Sequence, residues 1–139
     1  MKKVLFLSLI LIVLSNCSSK TTPGGVIYTI NSFDVPNNKM EVTYSISNPT
    51  ESTWKGGSWS LHWNSIFGEI IPETLPEGMD YNYVDGQQYL ILRFGLNYSL
   101  KPGENLSFNV SQKGIVNRLS MGPKGFFVHD ALTKKNTNL

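Results

Sequence analysis

The chain has 139 residues, with 12 Lys and Arg against 10 Asp and Glu and one cysteine, Cys17. A single cysteine excludes an internal disulfide. Lys2 and Lys3, at the very start, account for the whole formal charge of +2, so the rest of the chain is balanced and offers no electrostatic basis for binding nucleic acid or anionic lipid.

The first stretch reads "MKKVLFLSLILIVLSNCSSK". Two lysines precede an apolar run from Val4 to Leu14, broken only by Ser8, and small polar residues come after it. That run is too short to span a bilayer, and no polar face accompanies it, so residues 1–16 are expected to be a secretory signal peptide. "LSNC" resembles the bacterial lipobox, in which cleavage just before a cysteine is coupled to lipidation of that cysteine. Asn16 stands where Gly or Ala is more usual. The expectation is a lipid anchor on Cys17, where several acyl chains on one residue give stable membrane attachment. Ser18, with no acidic run after it, resembles lipoproteins passed on to the outer membrane, so a cell-envelope location is expected. Residues 17–25 would be the lipidated cysteine and its linker. "SSKTTPGG" is polar and aperiodic, and its eight residues reach at most ~26 Å.

Residues 26–130 carry the domain. "VIYTI" (26–30) is β-branched and aromatic. "MEVTYSIS" (40–47) puts Met40, Val42, Tyr44 and Ile46 on one face and Glu41, Thr43, Ser45 and Ser47 on the other. In "GGSWSLHWNS" (56–65), period two puts Trp59, Leu61 and Trp63 on an apolar face expected in the core, and Ser58, Ser60, His62 and Asn64 on a polar, solvated face. "QYLILRF" (88–94) is nearly continuous, as in a strand buried on both sides or beside an edge. "NLSFNVS" (105–111) alternates again, after a Pro102-Gly103 turn whose third position suits positive φ. "GFFVHD" (125–130) closes the set. The segments "NPTES", "LPEG", "VDGQ", "KPGE" and "MGPKG" separate these runs with turn chemistry, and no helical stripe interrupts them. Short alternating strands at this spacing predict an all-β antiparallel sandwich. Residues 131–139, "ALTKKNTNL", read as a polar tail expected to fray.

The residues offer little for catalysis. His62 and His129 have no Cys, Asp or Glu at metal-ligand spacing, so no metal and no cofactor is expected. Glu73 with Glu77 and Asp80 with Asp85 lie in loop-like sequence and are expected to be solvated turn residues, whereas a glycosidase needs two carboxylates held across a cleft. No phosphate loop, nucleophile elbow or catalytic cysteine is present, and the chain is expected not to be an enzyme.

"GSWSLHWNSIFG", then "YNYVDGQQYLILRFGLNYSLKPGENLSFNV", then "NRLSMGPKGFFV" together resemble the N-terminal domain of bacterial chitobiases and β-hexosaminidases. That family pairs a tryptophan-bearing strand ending in Asn with a Val-Asp-Gly segment, a Leu-x-Pro-Gly-Glu turn and a Pro-x-Gly-Phe piece, and all four occur here in order over roughly 40–128. The resemblance implies an immunoglobulin-like sandwich, similar to cellulose-binding domains, that binds carbohydrate. In those enzymes a catalytic barrel comes after this domain; here the sequence ends at Leu139, so hydrolase activity is not carried over.

The function expected is a non-catalytic, membrane-anchored carbohydrate-binding module. Its partner would be a glycan containing N-acetylhexosamine, a chitin-like or peptidoglycan-derived oligosaccharide. The alternative is an envelope lipoprotein that docks another protein through a sheet edge or aromatic patch and has no sugar ligand. Residues that strand parity does not send to the core are the candidate site: Trp54, Tyr81, Tyr83 and Tyr98 as ring platforms, with Asn82, Asp85 and Gln87 as hydrogen-bonding partners. Trp54, in "NPTESTWKGG", is either a lid over the end of the core or an exposed platform. "MDYNYVDGQQ" reads either as a binding junction or as a β-hairpin with aromatic cross-strand pairs. Trp54 and the tyrosines of 81–83 coplanar on one open surface would favour the glycan, and a scattered or buried set would favour protein docking.

Overall fold

Alternation in the sequence becomes two antiparallel sheets packed face to face. The computed structural model describes residues 24–66, 68–84, 86–116 and 122–139. Its strands are β1 (Gly25–Asp34), β2 (Lys39–Ser47), β3 (Trp59–Asn64), β4 (Met79–Val84), β5 (Tyr89–Phe94), β6 (Asn105–Lys113), β7 (Lys124–Asp130) and β8 (Lys135–Asn138), with a short 3₁₀ turn at Pro72–Thr74. One sheet has the order β1-β2-β6 and the other β4-β5-β3-β7-β8. Every pairing between named strands is antiparallel. The domain is an all-β sandwich.

Period two decides what lies between the sheets. Met40, Val42, Tyr44 and Ile46 of β2 and Phe108 and Val110 of β6 face Trp59, Leu61 and Trp63 of β3, Leu90, Leu92 and Phe94 of β5, and Val128 of β7, all buried. Tyr44 sits at one centre of this layer. Its ring stacks on Phe108 at 5.6 Å and meets Trp63 at 5.4 Å and Tyr28 at 5.2 Å. Gln112, fully buried, satisfies its amide by donating to the Gly68 carbonyl and the Tyr44 hydroxyl and accepting from the Tyr28 hydroxyl. A buried amide left unpaired would cost about 1–3 kcal/mol, so this network fixes how the Gly68 loop meets β2 and β6.

The second centre is Trp59. It stacks on Phe94 at 3.8 Å with planes 10° apart and leans on Trp54 at 5.3 Å. Its indole N–H donates to the Tyr98 carbonyl at 2.7 Å. The loop beyond it is drawn tight by Gly56, where a Cβ would stand 2.2 Å from the Leu96 carbonyl oxygen, so no larger residue fits without moving that loop.

Several expectations are corrected by the fold. Residues 135–138 of the polar tail form β8, paired to β7 with Val128 opposite Thr137 and His129 opposite Asn136. Asp130 builds the connecting turn, accepting from the Leu132 N–H and the Thr133 hydroxyl. The strand was hidden because it is held by backbone hydrogen bonds at the sheet margin, where its side chains need not alternate in polarity. β1 starts at Gly25, inside the expected linker. Of the two readings of β5, the one beside an edge holds, since its neighbour β4 is the edge strand; Leu90, Leu92 and Phe94 point inward while Tyr89, Ile91 and Arg93 line the outer face. The Pro102-Gly103 turn forms as read, with Gly103 at φ 74°.

Trp59 and Trp63 differ in one respect. The Trp63 indole N–H is buried without a hydrogen-bond acceptor among the described residues. Trp59→Phe loses ring area and also strands the Tyr98 carbonyl, whereas Trp63→Phe loses ring area and an unpaired donor together. Urea unfolding should therefore show Trp59→Phe to be the more destabilising by about 1–3 kcal/mol. Equal losses, or the reverse order, would contradict this account.

Candidate functional site

The candidate residues do not converge. Trp54 is 2% exposed, held by backbone hydrogen bonds in both directions with Leu100 (3.0 and 2.9 Å) and packed on Trp59. Asn48 ties down its loop by donating to the Ser52 and Leu100 carbonyls while accepting from Thr50. Trp54 is therefore the plug at one end of the core and not an exposed platform, because an indole beside a gap between two sheets gains more from burial than from solvent.

Tyr81 and Tyr83 share the inward parity of Met79 on β4, opposite Leu92 and Leu90, and are half-buried against the core. The Tyr81 hydroxyl accepts from the Ile70 N–H at 3.3 Å, and burial pushes its ionisation well up. Tyr98 lies edge-on to Phe94 and donates its hydroxyl to the Glu77 carbonyl. These tyrosines are the hairpin version of "MDYNYVDGQQ", packed inward along β4 and β5. Asn82 alone of β4's candidates points outward, opposite Ile91. Gln87 is exposed in the β4–β5 turn, where it borders an open depression of about 310 Å³ with Asn64, Ile66, Gln88 and Lys124. Asp85 and Cys17 lie outside the described residues. Trp54 forms no coplanar array with Tyr81 and Tyr83, which removes that set as a platform.

Rings do converge on the opposite surface, the outer face of the five-stranded sheet. Burying Trp59, Leu61 and Trp63 obliges Ser60, His62 and Asn64 to point out, and the register places Ile91 of β5 and Phe127 of β7 on either side of His62. His62 and Phe127 stack with centroids 4.7 Å apart and planes within 15°. Tyr89 stands 5.8 Å from His62 on the β5 side, and His129 6.3 Å away on β7. The imidazole is not simply solvated, as the sequence suggested. Its Nε2 lies 2.7 Å from the Ser60 hydroxyl and its Nδ1 2.7 Å from the Tyr89 hydroxyl. Partial burial, with His129 and then Arg93 nearby, holds its pKa below the ordinary histidine value.

His62 covers one face of Phe127, and β8 flanks β7 on the side away from β3. There Asn138 is the register partner of Phe127, and Asn136, on the same face, bonds His129 Nδ1 at 2.8 Å. On the far side of the ridge, Arg93 pairs with Asp80 at 3.2 Å and Asn82 stands clear. The face thus joins an apolar ridge of rings to flanking amides, with an ion pair at the margin. Such a surface can hold a ring whose carbons pack on the aromatics while its hydroxyls and amides find neutral partners.

Sequence reasoning missed Tyr89 and Phe127. Parity marked the polar face of β3, but which residues of β5 and β7 lie beside His62 depends on strand order and register.

No protein-family model and no curated protein sequence matches the chain. Solved structures do. The exo β-N-acetylglucosaminidase of family GH20 from Vibrio harveyi, solved as an inactive mutant and in complex with N-acetylglucosamine, superposes with a TM-score of 0.63 at 14% identity. That match covers 82% of this chain and 17% of the enzyme, so the chain corresponds to a small part of it. The chitin-binding domain of Chi18aC from Streptomyces coelicolor gives a TM-score of 0.51 at 14% identity, over 76% of this chain and 90% of that domain. The likeness is one of fold. It agrees with the sandwich implied by the resemblance to chitobiase N-terminal domains.

Proposed function

We propose that this protein is a non-catalytic carbohydrate-binding module whose site is the outer face of the five-stranded sheet. The observation that carries the proposal is the ridge of Tyr89, His62 and Phe127 across three adjacent strands, with Asn82 on one flank and Asn136 and Asn138 on the other. The fold shared with a chitin-binding domain and with part of an N-acetylglucosaminidase supports a glycan rich in N-acetylhexosamine as the ligand class. An acetamido group supplies a methyl for the ridge and an amide for the asparagines. Glu73 and Glu77 are exposed and Asp80 is tied to Arg93, an arrangement that supports binding without hydrolysis.

We also propose the lipid anchor at Cys17 in the outer membrane. β1 begins with Gly25 opposite Ser47, at the end of the sandwich where Trp54 plugs the core. β3 runs away from that end, so the Asn64 depression lies at the opposite end of the sandwich. The protein-docking reading has two observations in its favour: Trp54, Tyr81 and Tyr83 are turned into the core and form no open array, and Ile27, Phe33 and Val35, on and beside β1 at the edge of the other sheet, are 65%, 51% and 68% exposed.

Calorimetry with tri-N-acetylchitotriose separates the two readings. Binding should be measurable for the intact protein, and Phe127→Ala should weaken it at least about tenfold, roughly 1.4 kcal/mol, while Trp54→Phe leaves the affinity unchanged. An intact fold that binds neither chitin oligosaccharides nor peptidoglycan fragments at millimolar concentration would contradict the glycan reading and leave protein docking. For the anchor, Cys17→Ala should leave the precursor uncleaved and unlabelled by a palmitate analogue; normal processing would refute it.

A further inference from the structure

We propose that His62 is the positioning residue of this face, setting whether the Tyr89 hydroxyl meets a ligand as hydrogen-bond acceptor or donor. The inference rests on the glycan-binding reading for its ligand, but its mechanism stands on the hydrogen bonds themselves. Both imidazole nitrogens are engaged by hydroxyls at 2.7 Å, Ser60 at Nε2 and Tyr89 at Nδ1. A neutral imidazole has one N–H, so it must donate to one hydroxyl and accept from the other. A phenol is the more acidic hydroxyl, hence the better donor and the poorer acceptor. The preferred arrangement therefore has Tyr89 donating to Nδ1 and Nε2–H donating to Ser60.

In that state the Tyr89 proton is spent inward, and the oxygen of this partly exposed residue offers only lone pairs to a ligand. The matching ligand groups are donors: sugar hydroxyls and acetamido N–H. When solvent protonates Nδ1, the ring donates at both nitrogens. The Tyr89 O–H, displaced from Nδ1 but still on its own oxygen, rotates outward and becomes a donor. The same event adds a positive charge to the ridge. Acceptor-only groups, such as the carboxylate of a uronic acid, are then favoured where neutral His62 disfavours them.

The charged and titratable groups around His62 set when this happens. His129 from β7 and Arg93 from β5 oppose a second positive charge. Asp80 from β4 is engaged with Arg93, and Lys124 from β7 lies further along, opposite Asn64. β8 contributes Asn136 and Asn138, which carry no charge. Burial first, and these charges after it, hold protonation below the ordinary histidine range, so the face keeps one polarity through neutral pH.

The test has two readouts. Long-range proton–nitrogen NMR of the imidazole should show the Nε2–H tautomer at about pH 7.5, and Tyr89→Phe should change the Nδ1 signal. The ratio of trigalacturonate to tri-N-acetylchitotriose affinity should rise about tenfold between pH 7.5 and pH 5, and stay flat in His62→Gln, which cannot titrate. An Nδ1–H tautomer, or the same pH shift in His62→Gln, would overturn the proposal. The stated tautomer with neither trisaccharide bound at either pH would support the hydroxyl switch and refute the glycan reading.

Discussion

Burial of the two β3 indoles is the constraint on which the rest of the structure depends. Trp59 is committed by its stack on Phe94 and its hydrogen bond to the Tyr98 carbonyl, and Trp63 by its contacts with Tyr44 and Phe126. A strand has period two, so once these rings face the opposite sheet, the residues between them have no choice of side. Ser60 and His62 are set on the outer surface by the demands of the core. A one-residue slip would expose two tryptophans and bury an imidazole, a cost of several kcal/mol on area alone.

Central position then turns parity into a candidate site. β3 lies between β5 and β7, so His62 has an outward neighbour on each side, Ile91 and Phe127, with Tyr89 diagonal to it on β5. The ridge is made by three strands that are far apart in sequence. Its rings are mutually packed, which limits their side-chain freedom before any ligand arrives. Pre-ordering of this kind reduces what binding would otherwise lose in rotamer entropy. The same packing partly dehydrates His62 and ties it to two hydroxyls, which is why its protonation state has consequences for Tyr89.

Much of the fold was legible in the sequence, because the alternation of β2, β3 and β6 is a direct consequence of one dry and one wet face. The Pro102-Gly103 turn was legible for an equally local reason, its need for positive φ. Trp54 was not, since a loop residue has no parity, and only the Leu100 bridge and the Asn48 network show that it closes the core. β8 was not, because Lys135–Asn138 is held by main-chain bonds and carries no apolar pattern. The site was half legible. His62 was placed on the correct face, yet Tyr89 was absorbed into an apolar run, and the partnership with Phe127 needed a register that no local pattern encodes. Tyr81 and Tyr83 turn inward because their strand parity is that of Met79.

The central claim is that the outer face of the five-stranded sheet, and not the tyrosine hairpin or the Trp54 loop, receives a glycan. Chemical-shift mapping with tri-N-acetylchitotriose tests it most directly. The account expects saturable shifts at His62, Tyr89, Phe127 and Asn138, with Trp54, Tyr81 and the β1 edge unmoved. Shifts concentrated at Tyr81, Tyr98 or β1, with the ridge silent, would contradict it.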